Sequence, residues 1–200
     1  SIADPFLPTK IREGNSDDIR ECIGCNICIA SWHDGVPVRC TQNATAGEEW
    51  RRGWHPERFT KASQPDNVLV VGGGPAGLEA ALIAAKQGFE VTIAEQTDDW
   101  GGRVLQESQL PGMATWRRVR DYRVWALSQM GNVSMYANSE LDAEAALSFG
   151  ADHIAVATGA RWPKRLYSAL EIPAEPLDLP QILTPEDVFA GSLSADRFLV

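Results

Sequence analysis

A strand buried on both faces, a glycine turn, a helix and a second strand ending in an acid follow one another without interruption in this chain, and few folds accept that order. Val68-Leu69-Val70-Val71 is an unbroken aliphatic run of the kind a strand flanked by two others requires. It leads into Gly72-Gly73-Gly74-Pro75-Ala76-Gly77, after which Leu78 to Gln87 is rich in strong helix formers and Gly88 supplies a stop. In such a turn Gly72 makes the bend, Gly74 lets a pyrophosphate approach the helix N-terminus, and Gly77 lets helix and strand pack closely. The second strand, Phe89 to Ala94, ends at Glu95, eighteen residues after Gly77. A carboxylate there accepts hydrogen bonds from an adenosine ribose and disfavours a 2′-phosphate, since two anions would meet. A plain glycine turn with an incidental acid is the weaker alternative, because strand, helix and acid coincide. The expected fold class is α/β, a Rossmann-like FAD/NAD(P)-binding domain.

Later signals extend the same layout. Gly101-Gly102 lies just past the second strand, where bare backbone could rest against a ligand. His153 to Ala157 reads as another strand, running into Thr158-Gly159-Ala160 at the carboxyl end where ligands of parallel sheets bind. Either turn could equally be only a turn. Ala114 to Met130 is expected to be helical, with Trp116, Val119, Arg123, Leu127 and Met130 on one face. The arginines at 117, 118, 120 and 123 could dock an acidic partner, but a solvated helix face is the preferred reading. Val133 to Tyr136 reads as a short strand and Ala143 to Phe149 as a short helix. Arg197 to Val200 reads as the first half of a buried strand.

Ahead of this unit, Cys22, Cys25 and Cys28 stand at two successive Cys-x-x-Cys spacings in ECIGCNIC, and Cys40 follows after eleven intervening residues. Three thiolates on one tight loop can grip three corners of a cubane cluster, and a fourth from further along can close it. Gly24 permits the sharp turn and lets amide N–H groups reach the sulfurs. The run departs from the bacterial ferredoxin pattern, whose fourth cysteine comes three residues later and precedes proline. Zinc is the alternative metal, though structural zinc sites usually draw on two separated pairs. Disulfides need an oxidising compartment, and no cleavable signal peptide is visible.

The formal charge of −9 and pI near 4.8 argue against nucleic acid and anionic membrane as partners. No apolar run approaches the ~20 residues a membrane helix needs, so a cytoplasmic location is expected. The polar stretch Thr60 to Asn67 suggests a boundary, giving segments 1–20, 21–64 and 65–200. The opening SIADPFLPTKI and the strand-like end suggest an internal piece of a larger polypeptide, truncated at the C-terminus. His33, His55 and His153 are scattered and read as structural or solvent-facing, with His55 the one worth testing. Trp32, Trp50 and Trp54 lie close in sequence to the cysteines and are candidates to shield a cluster from water.

CIGCNIC, RCTQNATAGEEWRRGWHPERF, VLVVGGGPAGLEAA, the following Glu and Gly-Gly, and VATGARWP, in that order, resemble the trimethylamine dehydrogenase and 2,4-dienoyl-CoA reductase family of iron–sulfur flavoproteins. The resemblance covers nearly the whole chain. It implies an upstream TIM barrel carrying FMN, of which residues 1–20 would be the tail, then a 4Fe-4S segment, then a domain holding ADP or FAD. It implies that Cys22, Cys25, Cys28 and Cys40 ligate the cluster. Gly72, Gly74, Gly77 and Glu95 would surround the ADP moiety, with Gly101, Gly102, Thr158 and Gly159 alongside, and no catalytic residue falls in this stretch. The implied activity is oxidative N-demethylation of a small amine, with single electrons passing through the cluster to an electron-transferring flavoprotein, in an enzyme that is a homo-oligomer when intact. The alternatives are an NADPH-dependent dienoyl-CoA reductase, with its second nucleotide domain starting near Phe198, and a non-catalytic relay like the small subunit of glutamate synthase. The relay would carry more cysteines upstream of the glycine loop.

Overall fold

Alternation within the first strand determines which layers can form around it. In the computed structural model, which describes residues 1–54, 57–162 and 183–191, that strand is β1 (Asn67–Val71), with Leu69 and Val70 fully buried. It sits inside a four-stranded parallel sheet with β2 (Glu90–Ala94), β3 (Val133–Tyr136) and β4 (His153–Val156), in the order β3-β2-β1-β4. Register pairs Val70 with Ile93 on one side and with Ala155 on the other. On one face Val68 and Val70 pack with Leu78, Ala81, Leu82 and Ala85 of α4 (Pro75–Gln87) and with Ala126 and Leu127 of α6 (Arg118–Ser128). On the other face Leu69 and Val71 meet Ala146 of α7 (Ala143–Ser148). Each fully buried leucine of the two faces, Leu69 on one and Leu78, Leu82 and Leu127 on the other, contributes about 1.5–3 kcal/mol.

The carboxyl ends of the strands converge on the glycine turn. Gly72 N–H donates to Ala94 O at 2.8 Å, Ala157 N–H to Val71 O at 2.8 Å, and Gly101 N–H to Gly73 O at 2.8 Å. The four described strands stand within a residue of where the sequence placed them, with helix α4 starting at Pro75 directly behind Gly74, while the helix expected over Ala114 to Met130 begins as a 3-10 turn and ends at Ser128. The segment after β2 adds the short α5 (Arg103–Glu107) and a 3-10 turn at Ala114–Arg117 that leads into α6.

The first 66 residues hold little regular structure: α1 (Leu7–Glu13), a 3-10 turn at Ser16–Asp18, α2 (Ile27–His33) and α3 (Glu49–Arg52). Polar groups order much of it. Asp4, 1% exposed, accepts from Lys10 Nζ at 2.7 Å and from the amides of Arg20 and Phe6 at 2.9 Å. Buried Arg20 pairs with Glu57 and stacks its guanidinium over Tyr122. Asn43 donates to Ile2 O at 3.0 Å. The Arg20–Tyr122 contact ties the segment to the sheet unit, and the chain separates into two compact units, Ser1–Gly159 and Ala160–Val200. In the second unit, α8 (Pro185–Phe189) opens with a capping box in which Thr184 and Asp187 bond reciprocally. His55 and the strand read at 197–200 lie outside the described residues. Among the described residues no helix is long and apolar enough to cross a membrane.

Candidate cluster and nucleotide site

Buried Ile23 sets the cysteine loop, inserting against Val104 and Val119 with Cys25 and Trp116 beside it. The chain turns at Gly24 with φ +69° and again at Asn26 with φ 57°, which caps α2 and puts Cys28 in that helix's first turn. All four cysteines are free thiols, Cys22 exposed and Cys25, Cys28 and Cys40 half-buried. Gly24 N–H points at Cys22 Sγ at 3.3 Å, and Thr41 Oγ1 is 3.1 Å from Cys25 Sγ.

The loop's carbonyls are held from α6, from the turn before it and from the segment just after Cys40. Arg118 Nη1 donates to Cys22 O at 3.0 Å, Thr115 Oγ1 to Ile23 O at 3.1 Å, and Gln42 Nε2 to Glu21 O at 2.9 Å. Arg123 lies behind these anchors at 3% exposure, pairing with Glu79 on α4 at 2.6 Å and with Gln42 Oε1 at 2.9 Å. The solvated-face reading of the arginines is thus corrected. Arg117 alone of the four is more than half exposed, while Arg118 and Arg120 also bond main-chain oxygens. A guanidinium on an apolar face is tolerated because its donors meet a carboxylate and carbonyls.

The donor set fits an iron–sulfur cluster: four soft thiols on loops and one helical turn, with donors facing two sulfurs. Among the described residues no three His, Cys, Asp or Glu side chains gather closely enough to hold a single metal ion. Trp32 and Trp50 are 68% and 86% exposed, and Trp54 packs on Phe59 and Arg52, so the expected shielding by these tryptophans is not formed within the described residues. His33 and His153 are exposed, the latter 3.3 Å from Asp66.

The glycine turn is built as its spacing required. A Cβ at Gly77 would meet Gly72 O at 1.9 Å, and one at Gly72, φ +107°, would meet Ala157 O at 2.4 Å. Above Gly74 the space is open. The first amides of α4 have no intrahelical acceptor, so this 13-residue helix presents donors and the positive end of its dipole there. Gly101 packs on Arg120 and Leu105, Gly102 lies against Gly74, and Thr158 N abuts Gly72. Thr158 and Gly159 themselves are exposed.

Glu95 is more committed than its position suggested. Its carboxylate, 6% exposed, accepts from Gly73 N–H at 2.6 Å and from both the amide and hydroxyl of Thr97 at 2.9 Å. About one lone-pair site of the usual four is left. A ribose would have to share it or displace Thr97. The spacing of the motif gives Gly73 no role, yet a Cβ there would strike Trp100 at 2.6 Å and Glu95 at 2.9 Å. A glycine in the middle of the run, where the motif accepts any residue, is the only local signal. A separate cleft lined by Asn67, Glu90, Asn132 and Phe149 opens at the amino ends of the strands, away from the turn.

Residues 38–176 match the family model described as pyridine nucleotide-disulphide oxidoreductase. The chain belongs to that family. It is 44% identical to dimethylamine dehydrogenase of Hyphomicrobium sp. (strain x) over 98% of this chain and 28% of that protein. Of solved structures, histamine dehydrogenase from Rhizobium sp. 4-9 superposes with TM-score 0.89 at 50% identity, covering 96% of this chain and 28% of that one. The 2-naphthoyl-CoA reductase structure gives TM-score 0.79 at 30% identity, with 96% and 28% coverage. The chain therefore spans less than a third of these relatives, and the resemblance to the trimethylamine dehydrogenase family holds along it.

Proposed function

We propose that this chain is the cluster-binding and adenine-nucleotide-binding part of an oxidoreductase that demethylates a small secondary or tertiary amine at an FMN held elsewhere in the intact polypeptide. One observation carries the reading. Similarity to an amine dehydrogenase runs over 98% of the chain and so includes both the cysteine segment and the glycine turn. In this reading Cys22, Cys25, Cys28 and Cys40 hold a 4Fe-4S cluster, which when bound would supply one-electron transfer between the flavin and an external electron-transferring flavoprotein. Ile23 and the carbonyl clamps from Thr115, Arg118 and Gln42 fix the loop that carries three of these thiols.

At the second site, the open approach above Gly74 admits a pyrophosphate to the first amides of α4. Gly102 and Thr158 border it, and Glu95 offers its remaining lone pair to the ribose. The nucleotide proposed is ADP, with FAD second. The amine chemistry belongs to residues outside this chain. The intact enzyme is read as a cytoplasmic homo-oligomer.

Purified intact protein, denatured and analysed by mass and for iron and sulfide, tests this. FMN with ADP and about four irons is expected. FMN with FAD moves the reading to a reductase acting on an unsaturated acyl-CoA, the kind of relative the 30% identical structure represents. Absence of iron or of any adenine nucleotide overturns it.

A further inference from the structure

Thr41 follows Cys40 directly, and its hydroxyl oxygen lies 3.1 Å from the sulfur of a different cysteine, Cys25. Thr41 is exposed, so water could serve that hydroxyl equally well. Its backbone explains why it faces the sulfur. The Thr41 carbonyl accepts from Arg123 Nη2 at 3.4 Å. The next residue, Gln42, is 1% exposed and bonded to Glu21 O, Arg118 O and Arg123. Between a free thiol and a hydroxyl either atom can donate. A ligating cysteine is a thiolate with only lone pairs to offer, so the proton must then lie on Thr41 and point at sulfur.

We infer that Thr41 tunes the cluster's reduction potential through a hydrogen bond to Cys25 Sγ. The inference rests on the cluster reading above. Reduction adds negative charge that spreads onto the ligand sulfurs, so a donor held on one of them stabilises the reduced state more than the oxidised one and raises the potential. Gly24 N–H does the same for Cys22 from the main chain, where no side-chain substitution can remove it. Thr41 is the donor that mutation can address. Arg123 and Gln42 act through it, as positioning residues.

The test uses anaerobically purified intact protein with Thr41→Val, which keeps the shape and removes the hydroxyl, Thr41→Ala as a smaller second case, and Thr41→Ser, which restores the donor. Iron and sulfide content and an EPR-monitored redox titration are read for each. At a fixed poise the reduced-to-oxidised ratio is expected to fall about threefold to tenfold in the Val and Ala variants, or roughly 30–60 mV at 59 mV per tenfold for one electron. The Ser variant is expected to match the parent. Equal potentials in all four loaded proteins would overturn the inference and leave the cluster reading intact, as would a Ser variant that falls as far as Val. A parent protein without iron would overturn both. A merely structural threonine would alter thermal stability or loading without separating Ser from Val and Ala in potential.

Discussion

Replacing Arg123 with Met tests whether the cysteine segment is held in place by the nucleotide-binding helices. The guanidinium reaches Glu79 Oε2 at 2.6 Å, Val119 O at 2.8 Å, Gln42 Oε1 at 2.9 Å and Gln42 O at 3.3 Å. Methionine roughly preserves the buried stem, so the loss is mainly polar. Each buried acceptor left without a donor costs about 1–3 kcal/mol, and breaking a buried ion pair from one side about 3–5 kcal/mol. Glu79 is 20% exposed in its side chain and regains some water, which favours the lower end, about 3 kcal/mol. Hydrogen–deuterium exchange on the intact protein reads this locally. With 1.4 kcal/mol per tenfold, amides around Thr41–Asn43 are expected to exchange about 100-fold faster. Arg123→Lys is expected to recover little, because an ammonium cannot span a carboxylate, an amide oxygen and three carbonyls. Exchange in Arg123→Met within about fivefold of the parent would refute the reasoning, since the guanidinium would then be a spectator.

Gly77→Ala puts a methyl 1.9 Å from Gly72 O, backbone against backbone, and is expected to lower the melting temperature as α4 is forced off β1; Gly74→Ala meets nothing and is expected to keep the melting temperature while abolishing the shift produced by ADP. Glu95→Gln exchanges one acceptor oxygen for a donor facing Gly73 N–H or Thr97, and calorimetry is expected to show ADP binding weakened about 10- to 100-fold; an unchanged constant would remove Glu95 from the site. Burial pushes the Asp4 carboxyl up, but the Lys10 hydrogen bond, the Arg20 amide, the Lys10 charge and the Phe6 amide outweigh it and hold the net value below the ordinary 3.8. The unfolded chain then takes up this proton first as pH falls, so the contribution is complete above about pH 4 to 5 and is lost on descending through the folded value. Protection of the N-terminal segment in the parent should fall over that range, and Asp4→Asn should lack this component.

What could be read from the sequence was whatever local preference and burial decided together. Val68 to Val71, Gly72 and Gly77 each have one structural use, and the sheet realises those uses in order. Arg123 shows where that stops. Its spacing from Val119 and Leu127 put it on the apolar face, but its carboxylate partner lies 44 positions upstream and its amide partner 81, and no local window contains either. The same holds for the cysteine loop. Cysteine spacing was visible, whereas two of the groups that clamp the loop's carbonyls come from residues 115 and 118, more than 90 positions away. Glu95 was placed correctly and its engagement was not, because Gly73 and Thr97 become its donors only once the turn has closed.

The cysteine loop settles the hydrogen bonds of its Cys22 and Ile23 carbonyls with side chains from residues 118 and 115 instead of with a scaffold of its own. It is therefore not a portable cassette. Transplanting residues 21–43 into another protein would carry the four thiols and leave behind the threonine and arginines that shape the loop around them. Recombination or design that shuffles such segments must move the loop together with the turn and helix at 114–128, or rebuild an equivalent wall of donors. A natural chain that retains the cysteines but has lost those donors would be expected to bind its metal weakly, however well its spacing is kept.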